Sequence, residues 1–452
     1  MIHVTELLSS FIGDLSYDDL PEEVVETLKR FLIDYYAACF AGIRVNGEFN
    51  RAIEGLILSP GGQEECDTLL SLRRVPVASA AFMNAIYAHG ADMDDGNRKA
   101  MGHVGCHVLS ALLALAQKVG ASGRDLLVAM DAGYEVYNRI AAAAQPGLVH
   151  RGFHSTGTAG AVACGAACAK LLGLDREGIY DSMAIAAVQA SGLMLIAESG
   201  QACKPLNPAN AARTGVVSAL LAAQGIKGPR DPLESSKGWF HAMCDAPALE
   251  MITADLGTVH TVCESYIKPY PSCRHTHGAI DAALKLREEV GDVSSIRAVR
   301  VYIYPNAIRI AGQIVKPASG EECKFSIHYA LAVALIRGRF SLDDLDPEGL
   351  EESVTDILDR IQLIADDQME QRDRGIRGAK VVIETVDDAE YACTVLIPRG
   401  DAANPLSMEE LREKLADCAD GIIGTEEQDA LTNRILTLEQ LKEIRSINLF
   451  AL

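Results

Sequence analysis

From Cys106 to Val119 the chain reads CHVLSALLALAQKV, apolar on nearly every side, and it closes at Gly120. A segment this long and this uniformly apolar is a helix without a solvent face, so other helices have to surround it. The flanking text supplies them. LPEEVVETLKRFLIDYYAACFAG, from Leu20, puts Pro21 near the first helical position, Glu22 and Glu23 in the positive first turn, and Gly42 past the end. Its residues Val24, Leu28, Phe31, Leu32, Tyr35 and Cys39 recur at helical spacing. VASAAFMNAIYAHGAD, RDLLVAMDAGYEVYNRIAAAA and GFHSTGTAGAVACGAACAKLLGLD continue the pattern, with small residues that let helices approach closely. Up to about Met251 no apolar residues alternate with polar ones as in a strand, so this part reads as an all-helical domain.

The pattern changes after Tyr266. IRAVRVYIYP alternates through Val299, Val301 and Ile303, and AKVVIETVDDAEYACTVLIPRG predicts two strands, Ala379–Val386 and Tyr391–Ile397, joined at Asp387–Asp388. Helices are expected at HGAIDAALKLREEVG and CKFSIHYALAVALIRG. From Ser407 the text is helical and charged again (MEELREKLADCADG, LEQLKEIRSI) and is expected to dock back on the first domain. The fold class expected is therefore mainly α: a large all-helical domain from residues 1–265 and 400–452, with a smaller α+β lid domain over 266–399.

Charge narrows the partners. With 41 Lys and Arg against 62 Asp and Glu, the 452-residue chain carries −21, which excludes the concentrated basic surface that phosphate backbones need. An anionic substrate would need a local positive pocket. The 12 cysteines lack zinc-ribbon spacing and read as reduced core fillers. MIHVTELLSSFIGDL has no basic n-region, and no stretch approaches the ~20 apolar residues of a membrane span, so the expected compartment is the cytoplasm.

Against this background HGADMDDGNRKAMGHVGCH stands out as a charged island. Three acids (Asp92, Asp94, Asp95), three histidines (His89, His103, His107) and two cations (Arg98, Lys99) sit between buried helices. Three later places present cationic or imidazole groups beside helix starts, where free N–H groups favour a carboxylate. Lys204 precedes a helix for which Asn207 is the expected N-cap and Pro208 the first residue; His154 precedes another; Arg274, His275 and His277 crowd a third, capped by Ser272 or Thr276. Metal motifs fail on spacing. DMDDGN starts like a calcium loop, but Gly96 and His103 stand where ligands belong, and His103 and His107 lack the glutamate of HExxH. No GxGxxG, P-loop or GxSxG is present.

HGADMDDGN followed by GH, then GFHSTGTAGAVACGAACAKLLGLD, CKPLNPANAARTGVVSALLAAQG, KPYPSCRHTHGAIDA and KFSIHYALAVAL together resemble the MmgE/PrpD family, in the family's order and over nearly the whole chain. The resemblance implies a cofactor-free homodimer of helical domain plus α+β lid, acting on a small polycarboxylate, and the failed metal spacings make metal independence the expectation. Family activities are 2-methylcitrate dehydratase, cis-aconitate decarboxylase and iminodisuccinate epimerase. The catalytic residues it implies are Asp92, His103, His154, Lys204 and either His275 or His277; Lys204, Arg274, Asp95 and Gly96 are the residues expected on the substrate side. Two positions depart from the family: Gly96 stands where a threonine is usual, and Val104 where a proline is.

Dehydration, decarboxylation and epimerisation all build charge beside a carboxylate. Cations stabilise that charge and histidines carry the protons. The expected function is thus a cofactor-independent lyase of a di- or tricarboxylate, alternatively an epimerase, alternatively a carboxylate binder without turnover.

Overall fold

The structure, a computed structural model, describes residues 3–70, 73–198, 202–371 and 376–451. It divides into two compact units, Met1–Tyr266 with Met408–Leu452, and Ile267–Ser407.

In the first unit the fully apolar segment is central. Helices α1 (Glu22–Val45), α2 (Val77–His89), α3 (Gly105–Val119), α4 (Gly123–Ala144), α5 (Ser155–Leu171) and α6 (Leu206–Ala223) form its body. Every residue of α3 from Gly105 to Gln117 is buried, and it ends at Gly120 in the left-handed conformation (φ +65°) that glycine adopts without strain. It packs against α2, α4, α5 and α6. Small residues permit this density. A Cβ on Gly215 of α6 would run into the backbone of Cys164 in α5. Gly42 does not end α1 as expected. A side chain there would strike the Tyr87 carbonyl of α2, so the glycine is a crossing point and the helix continues three residues past it.

The second unit is an α+β layer. Strands β1 (Ile296–Ile303), β2 (Ile361–Ala365), β3 (Ala379–Thr385) and β4 (Glu390–Val395) make one sheet in the order β4-β3-β1-β2. The β3–β4 hairpin turns at Asp387–Asp388, with Asp388 at φ +63°. β2 runs parallel to β1 and was not anticipated, since IQLIA is too short to show a period. Helices α7 (His277–Val290) and α8 (Ile327–Arg337) share one core with the sheet through Ile280, Leu286, Leu331, Val299, Val381 and Ile383. The unit runs on to Ser407 because Ile267 N–H donates to the Gly400 carbonyl (2.9 Å) and Gly400 N–H to that of Asn404 (2.8 Å).

The chain then returns to the first unit as α9 (Met408–Ala419) and α10 (Thr425–Leu436). On α9 the buried ammonium of Lys414 pairs with Asp34 of α1 and donates to the Met93 carbonyl (2.8 Å), tying the tail beneath the charged island. LEQLKEIRSI, expected as a helix, forms only a 3₁₀ turn at Leu438–Gln440. Among the described residues no helix is long and apolar enough to cross a membrane.

Candidate active site

The island folds into a buried loop. His89 is the last residue of α2, and Asp92, Asp94, Asp95 and His103 are each less than a tenth exposed. Asp92 has φ +54°, a left-handed conformation that costs a non-glycine residue about 1 kcal/mol or more and persists where the surroundings enforce it. Its carboxylate is held by Lys204, which stands two residues before α6. His103 Nε2 lies 3.5 Å from the same Asp92 oxygen.

The acceptors around each ring fix the proton positions. His103 Nδ1 faces two acceptors, the Asp95 carbonyl at 3.0 Å and Asp94 Oδ2 at 3.2 Å, so Nδ1 carries hydrogen and Nε2 is the exchangeable position. His89 Nδ1 donates to both Asp94 oxygens, at 2.9 and 3.0 Å. Its Nε2 is buried and has no hydrogen-bond partner among the described residues. Burial lowers this ring to a pKa of about 4, with Lys204 and His103 pushing the same way and Asp94 opposing. Asp94 is held well below the usual carboxylate range by His103 and His89 against its own burial.

His154 occupies the N-cap position of α5 without capping through its side chain. The Asn207 amide donates to the Leu193 carbonyl (3.3 Å) and to His154 Nδ1 (3.0 Å), which places the His154 proton on Nε2. Burial, then Lys204, His89 and His103, drive its pKa far down, so the ring is a neutral donor. This use of Asn207 displaces the expected cap. α6 starts at Leu206, and Asn207 lies in its first turn with its side chain committed to His154.

Asp95 and Gly96, expected on the substrate side, are packed into the scaffold. Asp95 Oδ1 accepts from Gly105 N–H at the start of α3 (2.7 Å) and Oδ2 from the Tyr134 hydroxyl (2.9 Å). Burial first, then Asp94 and Asp34, raise the Asp95 pKa well above normal. Gly96 pairs with Tyr266 in a two-residue ladder, and a Cβ there would lie 2.5 Å from the Tyr266 hydroxyl. Its glycine is explained by close approach, since its φ is not positive.

His103 and His107 stand four residues apart, a spacing that could place both on one metal. His107 Nε2–H instead donates to the His103 carbonyl (2.9 Å), and its Nδ1 faces Cys164 Sγ (3.5 Å). One ligand atom each of His89, Asp92, Asp94 and His103 does lie within 4.8 Å of the others, a spacing that suits a cation. Here the protein meets that charge itself, through the Lys204 ammonium on Asp92 and two imidazole N–H groups on Asp94.

In the second unit, His277 is fully buried, with Nδ1 accepting from Arg274 (3.0 Å) and Nε2–H donating to the Ser272 carbonyl (3.2 Å). Arg274 also donates to the Arg399 carbonyl (2.8 Å) and lies 3.6 Å from Asp401. His275 Nδ1 is 2.5 Å from the Tyr304 hydroxyl. Burial, then Arg377, Lys268, Arg309 and Arg274, bring the His275 pKa to about 3. The ring is thus a neutral group in strongly positive surroundings, able to share a carboxylate with them.

Asp92, His103, His154 and Lys204 therefore come together in one unit, and Arg274, His275 and His277 in the other. Sequence patterning gives no role to His89, Asp94, Tyr304 or Lys268, and for Asn207 it gives a helix cap in place of the bond to His154. Lys268 is only 1 % exposed. Its signal was present, a lysine inside the apolar, proline-stiffened IKPYP.

A family model described as the MmgE/PrpD N-terminal domain matches residues 6–252, and one described as the MmgE/PrpD C-terminal domain matches 270–440. The chain is 27% identical to "Cis-aconitate decarboxylase-like protein oryM" of Aspergillus oryzae, over 98% of this chain and 96% of that protein. It is 26% identical to "Cis-aconitate decarboxylase" of Aspergillus terreus (98% and 94% covered) and to that of Homo sapiens (97% and 92%).

Proposed function

The chain belongs to the MmgE/PrpD family, and on that premise we propose that it is a lyase that decarboxylates a small unsaturated tricarboxylate of the cis-aconitate type. The observation that carries the reading is the placement of His103, whose ring bears on Asp94 through Nδ1 and on Asp92, the partner of Lys204, through Nε2. His103 is the imidazole that touches both acids.

In the reaction the C–C bond to the departing carboxylate breaks and its electron pair becomes the new double bond. The pair of the former double bond moves to the carbon beside a retained carboxylate, giving an enolate-like charge. Lys204 and the Nε2–H of His154 stabilise that charge, since preorganised donors in a buried site act where charge develops. His103 Nε2–H delivers the proton that ends the sequence, and carbon dioxide leaves. No step calls on a metal, and activity is expected to survive dialysis against a strong chelator.

The test is a panel of polycarboxylates, including cis-aconitate and 2-methylcitrate, assayed in deuterated water for carbon dioxide, water elimination and carbon-bound deuterium. Carbon dioxide release with one deuterium per product supports the reading. Elimination without carbon dioxide makes the protein a dehydratase, and exchange without either an epimerase. Thermal stabilisation with no chemistry would make it a binder.

A further inference from the structure

The proposed chemistry uses one nitrogen of His103 and leaves two buried groups behind it without a task. Asp94 is 1 % exposed, as is His89. Neither enters the steps above, yet both sit directly behind the proton carrier. An ionised carboxylate in such a place is costly unless donors surround it. Around Asp94 these include the Nδ1–H groups of His89 and His103, with the Cys106 thiol beside them. The two rings also meet edge to face, with centroids 4.7 Å apart. The result is an imidazole–carboxylate–imidazole row that ends at His103 Nε2.

We propose that Asp94 and His89 are positioning residues that hold His103 in its Nδ1–H tautomer and stabilise its protonated ring, so that Nε2 is the atom that exchanges protons with the substrate. The proposal rests on His103 being the proton carrier. Without Asp94, the Asp95 carbonyl alone would orient Nδ1, and it carries no charge to offset an imidazolium. His89 acts in the opposite sense. By donating to both oxygens of Asp94 it disperses the carboxylate charge and keeps Asp94 from binding the His103 proton too firmly. Being neutral and wholly enclosed, it adds no positive charge of its own. The two residues thus set the proton affinity of His103 from both sides.

Among the described residues, the groups that face His103 are the carboxylates of Asp92 and Asp94, the imidazoles of His89, His154 and His107, and, through Asp92, the ammonium of Lys204. Of these only Asp94 and His89 can be changed without removing a group that the reaction itself uses or, for His107, one that anchors the start of α3.

Asp94→Asn keeps the shape and removes the charge. It is expected to lower kcat on the order of 10²-fold, with a smaller change in KM, and to move the limb of the pH profile that reports His103 to lower pH by about one unit or more. His89→Leu, which removes the donor, is expected to move that limb to higher pH, because Asp94 then spends more of its charge on His103. Opposite shifts from two adjacent buried substitutions cannot come from lost stability, which would lower activity at all pH values alike. If both limbs stay in place, or move together, the proposal is wrong.

A second measurement is independent of turnover. In the full chain labelled with ¹⁵N-histidine, the ring signals of wild-type His103, assigned by their loss in His103→Gln, are expected to show hydrogen on Nδ1. Hydrogen on Nε2 in the neutral ring overturns the proposal whatever the kinetics. Conversely, Nδ1–H in the spectrum together with full activity of His103→Gln would leave the positioning row standing and refute the catalytic role given to His103.

Discussion

Replacing Gly96 with alanine puts a methyl group 2.5 Å from the hydroxyl oxygen of Tyr266, 2.7 Å from its Cζ and 2.9 Å from the Gly102 carbonyl. Ordinary contacts of this kind lie at about 3.5–4.0 Å, so all three are overlaps of roughly half an ångström or more. Relief is limited: Gly96 is buried, Tyr266 is 7 % exposed, and the ladder Gly96–Tyr266, Asn97–Ser265 holds both backbones. Overpacking of this sort costs about 1–3 kcal/mol. We expect the upper part of that range, because one of the struck atoms is a backbone carbonyl. For a melting unit of about 300 residues, an unfolding entropy near 2.1 cal/mol/K per residue turns 2–3 kcal/mol into a Tm lower by about 3–5 °C. The assay is a double-mutant cycle by thermal or urea unfolding of wild type, Gly96→Ala, Tyr266→Ala and the pair. Removing the ring is expected to cancel most of the alanine's cost, giving a coupling energy of about 1–2 kcal/mol. An alanine that costs nothing, or as much with Tyr266 absent as present, would refute close packing as the reason for glycine. It follows that Gly96→Thr cannot restore a pocket hydroxyl without moving Tyr266, and that Thr and Ala should give the same ratio of water elimination to proton exchange.

Lys204→Ala should abolish turnover and also lower stability by about 1–3 kcal/mol, because it leaves the Asp92 carboxylate buried without its cation; near-normal kinetics would end the role given to this lysine. Asn207→Asp swaps a donor for an acceptor beside His154 Nδ1, and is expected to draw the proton to that nitrogen, strip it from Nε2 and reduce kcat by roughly tenfold or more; an unchanged kcat would show that the His154 tautomer does not matter. His260 accounts for a pH effect on stability. A hydrogen bond to Asp131 (2.9 Å) raises its pKa above the 6.5 of the free side chain, so the stabilisation is fully present below about pH 6.5 and is lost as pH rises through the folded value. The stability gap between wild type and His260→Gln in urea unfolding should therefore be larger at pH 6 than at pH 9, and an equal gap would mean that the histidine contributes by packing alone.

Much of the helical framework was legible because its causes are local. Glu22 and Glu23 in a first turn and Gly120 ending α3 in the left-handed conformation are relations among neighbours a few residues apart. The apolar run of α3 likewise announces burial whatever surrounds it. The charged island was legible too, as polar text that a helical core does not need. Which of its groups does what was not, because each role is decided by a partner far along the chain. Asp92 meets Lys204 across 112 positions, Asp95 is drawn away by Tyr134 from 39 positions on, and Asn207 abandons its capping role for His154, 53 positions back. The same holds for the glycines. Gly42 reads as a stop signal and Gly96 as a missing hydroxyl, yet each is a glycine because a distant residue, Tyr87 or Tyr266, occupies the space a side chain would take. Local sequence sets the conformational preference of a segment, whereas the identity of the atom opposite a side chain exists only once the helices have packed.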